Sequence, residues 1–150
     1  QTHLTTTSSQ SNTASVRTNI LGLNATITPS TTSKRVKITI RWNGEHSNTS
    51  AHNQVFGIKR DTTDIGNPAA SGSLTVGMAI VAMGYYAAEA STTPDSATYI
   101  YIDSPATTSA TTYHATYLAL NGGTLYNQRT VLDSGTAERL TSNIILEEID

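Results

Sequence analysis

The sequence predicts an all-β domain, an antiparallel β-sandwich of the jelly-roll kind. Three observations carry that prediction: apolar and polar residues alternate over short segments, turn residues punctuate those segments, and serine and threonine exceed a quarter of the 150 residues. Threonine suits a half-exposed strand because its branched Cβ restricts χ1 while its hydroxyl tolerates water. Serine, threonine and asparagine also disfavour helix, since their side chains compete for the backbone's hydrogen bonds.

Gln1 to Ser15 (QTHLTTTSSQSNTAS) is polar and of low complexity, with Leu4 as its only bulky apolar residue. Residues 1–19 are therefore read as an N-terminal arm or linker whose partners a neighbour supplies, and residues 20–150 as the jelly-roll domain. Leu21, Leu23, Ala25 and Ile27 recur at every second position before Pro29. Val36, Ile38, Ile40 and Trp42 do the same, with Arg35, Lys37, Thr39 and Arg41 between them, and this is the cleanest strand. Asn43-Gly44 is expected to turn the chain into a polar loop, Glu45 to Asn53.

Phe56 and Ile58 mark a short strand, and a brief return is expected around Ile65. Ser73 to Tyr86 is the most apolar stretch. Its length suits a buried helix, but Gly77, Gly84, Val76, Ile80 and Val81 favour a strand bent near a glycine. Ser96 to Asp103 alternates with apolar residues on both faces: Ala97, Tyr99 and Tyr101 on one, Ile100 and Ile102 on the other. One face is expected to meet the second sheet and the other a loop or a neighbouring subunit. Thr111 to Leu120 is again two-sided, Asn121-Gly122 signals a hairpin, and Thr141 to Ile149 closes the chain as a strand inside a sheet.

Composition excludes several functions. The net charge is −2 and charged residues are 13% of the chain, and the densest basic stretch, Lys34 to Arg41, is explained by strand alternation rather than by phosphate contacts, so no nucleic-acid partner is expected. With no cysteine there is no disulfide, zinc-thiolate or thiol chemistry. No apolar run reaches membrane-spanning length, and none of a signal peptide's features opens the sequence, so no membrane insertion is expected. The first residue is not Met, which fits a processed product or a piece of a longer protein.

Catalytic signatures are missing from the pattern. GxSxG and the phosphate-binding glycine motifs do not occur. Glu45, His46 and His52 fall in one expected loop but match no metal spacing, and His3 and His114 stand apart. Asp61 and Asp64 share a turn, and Glu147 and Glu148, adjacent on a strand, point to opposite faces, so no carboxylate pair for glycosidic cleavage is placed. The expectation is a protein that is not an enzyme, with no cofactor and no metal. Asn24-Ala25-Thr26 and Asn48-Thr49-Ser50 are sequons that a threonine-rich chain produces by chance, the second being the better acceptor. Tyrosine is the main binding resource: Tyr86 beside a loop and Tyr126 after the hairpin are the candidate surface-binding residues, whereas Trp42 continues a core face.

Five phrases resemble a family of virion-surface domains of tailed bacteriophages, found at the C-terminal ends of fibre or head-attached appendage proteins. They are Leu23 to Val36 (LNATITPSTTSKRV), Phe56 to Gly66 (FGIKRDTTDIG), Tyr101 to Tyr117 (YIDSPATTSATTYHATY), Gly123 to Arg129 (GTLYNQR) and Ser142 to Ile149 (SNIILEEI). The resemblance spans nearly everything after residue 19. It implies a jelly roll akin to the C1q and tumour-necrosis-factor architecture, assembled as a homotrimer on the virion surface. The family's Asp-Ser-Pro phrase is Asp103-Ser104-Pro105 here; Glu147-Glu148 departs from relatives that carry one acidic residue preceded by an apolar one.

The function expected on these grounds is that of a virion structural protein, the knob of a tail or head fibre, joined to other virion proteins through the N-terminal arm and contacting a host surface glycan. A capsid decoration protein and a non-catalytic carbohydrate-binding module using Tyr86 and Tyr126 are the alternatives.

Overall fold

The computed structural model describes residues 1–4, 6–47, 52–83 and 92–150, and its longest strand lies where the alternation is cleanest. From that strand, Arg35–His46, the side chains of Val36, Ile38, Ile40 and Trp42 turn inward and lose all contact with water. In chain order the strands are β1 (Thr2–Leu4), β2 (Ser8–Asn12), β3 (Thr18–Ile27), β4 (Arg35–His46), β5 (His52–Arg60), β6 (Thr63–Ile65), β7 (Ala79–Met83), β8 (Asp95–Asp103), β9 (Thr111–Ala119), β10 (Gly123–Asn127) and β11 (Ser142–Ile149). No helix occurs among the described residues.

The protein is all-β, with two antiparallel sheets packed as a sandwich. One has the order β1-β11-β4-β10-β2 with β8 on the other side of β4; the other has the order β3-β9-β5-β6 with β7 also on β5. The long-range pairs are nested: β5 with β7, then β4 with β8, β3 with β9, β2 with β10 and β1 with β11. The inner three fall in the second, the first and the second sheet in turn, and the outer two both in the first. Between the sheets lie Trp42, Phe56, Ile38, Leu23, Tyr113 and Tyr117, with the Trp42 and Phe56 rings 4.9 Å apart. This single core compensates for the modest apolar content by using large side chains that each remove much surface from water.

Several local expectations are corrected. Asn43-Gly44 does not turn; both residues continue β4, which has β8 on one side and β10 on the other to satisfy its backbone. Gly44 is there for space, because a Cβ would run into the Tyr126 carbonyl and the Trp42 indole. In β3 the expected phase slips: the register shifts between Asn19 and Asn24, Gly22 adopts φ +74°, and Ile20 is buried while Leu21 is 53% exposed. An extra residue in one strand exchanges inside for outside, and glycine supplies the left-handed backbone that permits it.

Of the stretch from residue 73 to 86, β7 is the strand; residues 84–86 lie outside the described residues, and the segment before β7 runs close along β5, with Met78 N donating to Phe56 O at 2.8 Å. Asn121-Gly122 does turn, with Gly122 at φ +66°, but β9 and β10 belong to different sheets, so it is a crossing and not a hairpin. Glu45 and His46 belong to β4 and His52 to β5 rather than to a shared loop. The stretch 1–19, whose partners were expected from a neighbour, pairs with its own chain: β1 lies along β11 and β2 along β10.

Candidate assembly surface

The outer face of the β8-bearing sheet collects what the core leaves over. Strand β8 turns Ala97 and Tyr99 inward, and Tyr99 Oη donates to Gly57 O at 3.0 Å across the sandwich. Burial pushes the Tyr99 hydroxyl well above its ordinary pKa. The opposite side chains are open in a single chain: Ile100 is 57% and Ile102 45% exposed. One side of the two-sided strand is thus covered by the second sheet, and no described loop covers the other.

Register aligns these residues in rows. Ile100 faces Thr39, which faces Ile145; Ile102 faces Lys37, which faces Glu147; Thr98 faces Arg41, which faces Asn143. Lys37 Nζ and Glu147 Oε2 are 2.7 Å apart, so their charges cancel within the face. Arg41 is exposed and has no ion pair among the described residues. The result is a flat surface with an isoleucine strip and one open cation.

The candidate binding tyrosines fare differently. Tyr126 is half-buried on β10, and the guanidinium carbon of Arg129 sits 4.4 Å from its ring centre. That cation already occupies one aromatic face, while Asp133 ties Arg129 and Arg139 together. Tyr86 lies outside the described residues, as do Tyr85 and the sequon at Asn48. Trp42 is fully buried, as its strand phase implied.

The groups weighed for chemistry are dispersed. Glu45 and His46 leave β4 on opposite sides; the Glu45 carboxylate accepts from Thr93 Oγ1 at 2.8 Å and from Val131 N at 2.6 Å, clamping two loops to the sheet. His3 is exposed on β1, and His114 is half-buried on β9 opposite Asn24. Asp61 Oδ1 accepts from Thr112 N at 3.0 Å, Asp64 lies 3.7 Å from Arg17, and Glu148 is held by Ser30. Among the described residues no group of three or more His, Asp or Glu side chains gathers to hold a metal, and there is no enclosed pocket.

Sequence reasoning missed two buried polar links. Asp103, beyond ending its strand, accepts from Arg60 Nη1 at 2.9 Å and Tyr113 Oη at 2.8 Å, joining β5, β8 and β9 at one end of the sandwich. The other is the amide network around Asn127. Neither has a local signal, because their members lie far apart in the chain. No family model, no curated protein and no solved structure matches the chain.

Proposed function

We propose that this chain is a jelly-roll domain of a tailed-bacteriophage virion, the knob of a tail or head fibre, which works by assembling into a homotrimer and contacting the host surface. The nested strand pairs, the inner three alternating between the two sheets, support the jelly-roll reading: they are what a long antiparallel ribbon gives when it is wound around one core. The virion location rests on the five sequence phrases described above.

The observation that carries the assembly is the isoleucine strip. Ile100 and Ile102 are more than two-fifths exposed side by side on a regular strand, with Ile145 in the Ile100 row beyond Thr39, and exposed apolar residues grouped in this way support an interaction surface. A closed trimer presents three equivalent copies of every outer loop, so weak contacts with a surface glycan add in avidity.

Analytical ultracentrifugation tests it. Three chain masses, or six where trimers pair, are expected at micromolar concentration; a monomer there overturns the assembly. The encoded sequence upstream of Gln1 separates a fibre from a capsid decoration protein, since a fibre continues into a repetitive shaft. A glycan array with the assembled protein and its Tyr126→Ala variant tests sugar contact, and no signal with any glycan removes that part.

A further inference from the structure

We infer that the free edge of β8 is a strand-addition site for β8 of a second copy, running antiparallel, with Ile100 and Ile102 of one chain facing Ile102 and Ile100 of the other. The contact rests on self-assembly as proposed above; being two-fold and made by the strand edge, it is a second contact beside the three-fold one made by the face, and joins one trimer to another.

Strand edges carry rows of unpaired N–H and C=O groups, and proteins blunt them by shortness, bulges, lysine or proline. The remaining edges here are treated in those ways. β1 and β6 have three residues each, β7 has five, and β2 has five polar ones, SSQSN. β3 is longer but carries the register shift at Gly22, and the part of β11 that β1 leaves unpaired, Ile145 to Ile149, is five residues with two glutamates.

β8 alone among the described strands has no such protection. It has nine residues, DSATYIYID, without lysine, arginine or proline, and its register with β4 runs unbroken from Asp95 to Asp103. Among the described residues it pairs only with β4; β7 of the other sheet runs beside it without pairing to its outer edge. Pro94 and Pro105 bracket it and confine pairing to this strand.

The chemistry of the edge selects its occupant. A charged peptide finds no opposite charge to meet, since both acidic residues are at the ends and Asp103 is already engaged by Arg60. The same strand turned around a two-fold axis at Tyr101 fits over Tyr99 to Asp103: Ile100 meets Ile102 twice, Asp103 meets Tyr99, and no like charges stand opposite one another, while Pro105, falling opposite Ala97, ends the pairing. An isologous contact of this kind repeats each pair by symmetry.

The cysteine-free chain makes the test direct. Ile100→Cys and Ile102→Cys variants are mixed in equal amounts and oxidised, with Ile80→Cys, 61% exposed on the other sheet, as the control. A mixed disulfide dimer is expected, forming faster than any cross-link of the control. Cross-linking no faster than the control overturns the pairing. Ile100→Lys, at an exposed position that leaves the core intact, is expected to abolish the pairing while keeping the wild-type circular dichroism; association undiminished in this variant also overturns it. In ultracentrifugation, a trimer whose cysteines stay free removes the β8 contact alone, whereas a cross-linked dimer with no larger species removes the three-fold reading alone.

Discussion

The indole Nε1 of Trp42 donates a 2.8 Å hydrogen bond to Asn127 Oδ1, and neither side chain touches water. From Asn127 the network continues outward: its Nδ2 donates to Ser8 Oγ at 3.0 Å and to Gln10 Oε1 at 3.3 Å, and Gln10 Nε2 donates to Asn19 O at 2.9 Å. Strand β2, which offers the core almost no apolar surface, is therefore held by buried amides. Each of these groups would cost free energy if left alone away from water.

Asn127→Ala leaves the indole N–H unpaired in the core and removes the anchor of β2. A loss of about 2–3 kcal/mol is expected. Urea unfolding measures it as a lower midpoint at unchanged slope. An unshifted midpoint would show that the network adds nothing.

Gln54 presents the opposite case. It is 1% exposed, and neither Nε2 nor Oε1 has a hydrogen-bond partner among the described residues. Gln54→Met keeps the shape and removes an unsatisfied amide, so stability should rise by about 1–2 kcal/mol. A lower midpoint in the same urea experiment would contradict this.

Tyr99, Tyr113 and Tyr117 all have hydroxyls raised above the ordinary value of 10.0, in each case first by burial, and at Tyr113 also by the neighbouring Asp103 carboxylate. A raised folded pKa means the unfolded chain releases these protons first, so their contribution is complete below about pH 10 and lost as pH climbs above it. Tyrosinate absorbance from these three should therefore appear together with loss of circular dichroism in an alkaline titration. Full ionisation with the sheet signal intact would refute their burial.

At the other end of the pH scale, Glu148 is held below its usual 4.5 by the Ser30 hydroxyl and then by the Ser30 backbone N–H, at 2.7 and 2.5 Å. A lowered folded pKa contributes stability above the unfolded value, and that contribution disappears as pH falls through the folded one. The site is fully exposed, so the effect is small and screened by water. Wild type should be slightly more stable than Glu148→Gln at pH 7, and the two should converge in acid. A gap that persists at low pH would mean the carboxylate charge is irrelevant.

Strand positions were most legible where the period of two was unbroken. In β4, β8 and β9 one side of the alternation is the buried side, because a pleated chain sends successive residues to opposite faces. Legibility failed at glycine. Asn43-Gly44 carries the strongest turn signal in that region yet stays extended, because β8 and β10 flank it and demand close approach. Leu21 and Ile20 exchanged places because one bulge resets the phase. The candidate surface was half legible: the sequence marked Ile100 and Ile102 as needing a second cover, while Tyr126 was singled out with no hint that Arg129 lies on its ring.

The amino-acid order by itself determined that the chain is all-β, that Val36, Ile38, Ile40 and Trp42 enter the core, and that β8 carries more apolar surface than one sheet can cover, since all three follow from local alternation and side-chain chemistry. Only the tertiary structure decided which strands pair, that residues 2–12 complete their own sheet, and that Asn127 and Asp103 act as buried junctions. Those facts depend on groups brought together from distant parts of the chain, where no local periodicity records the partner.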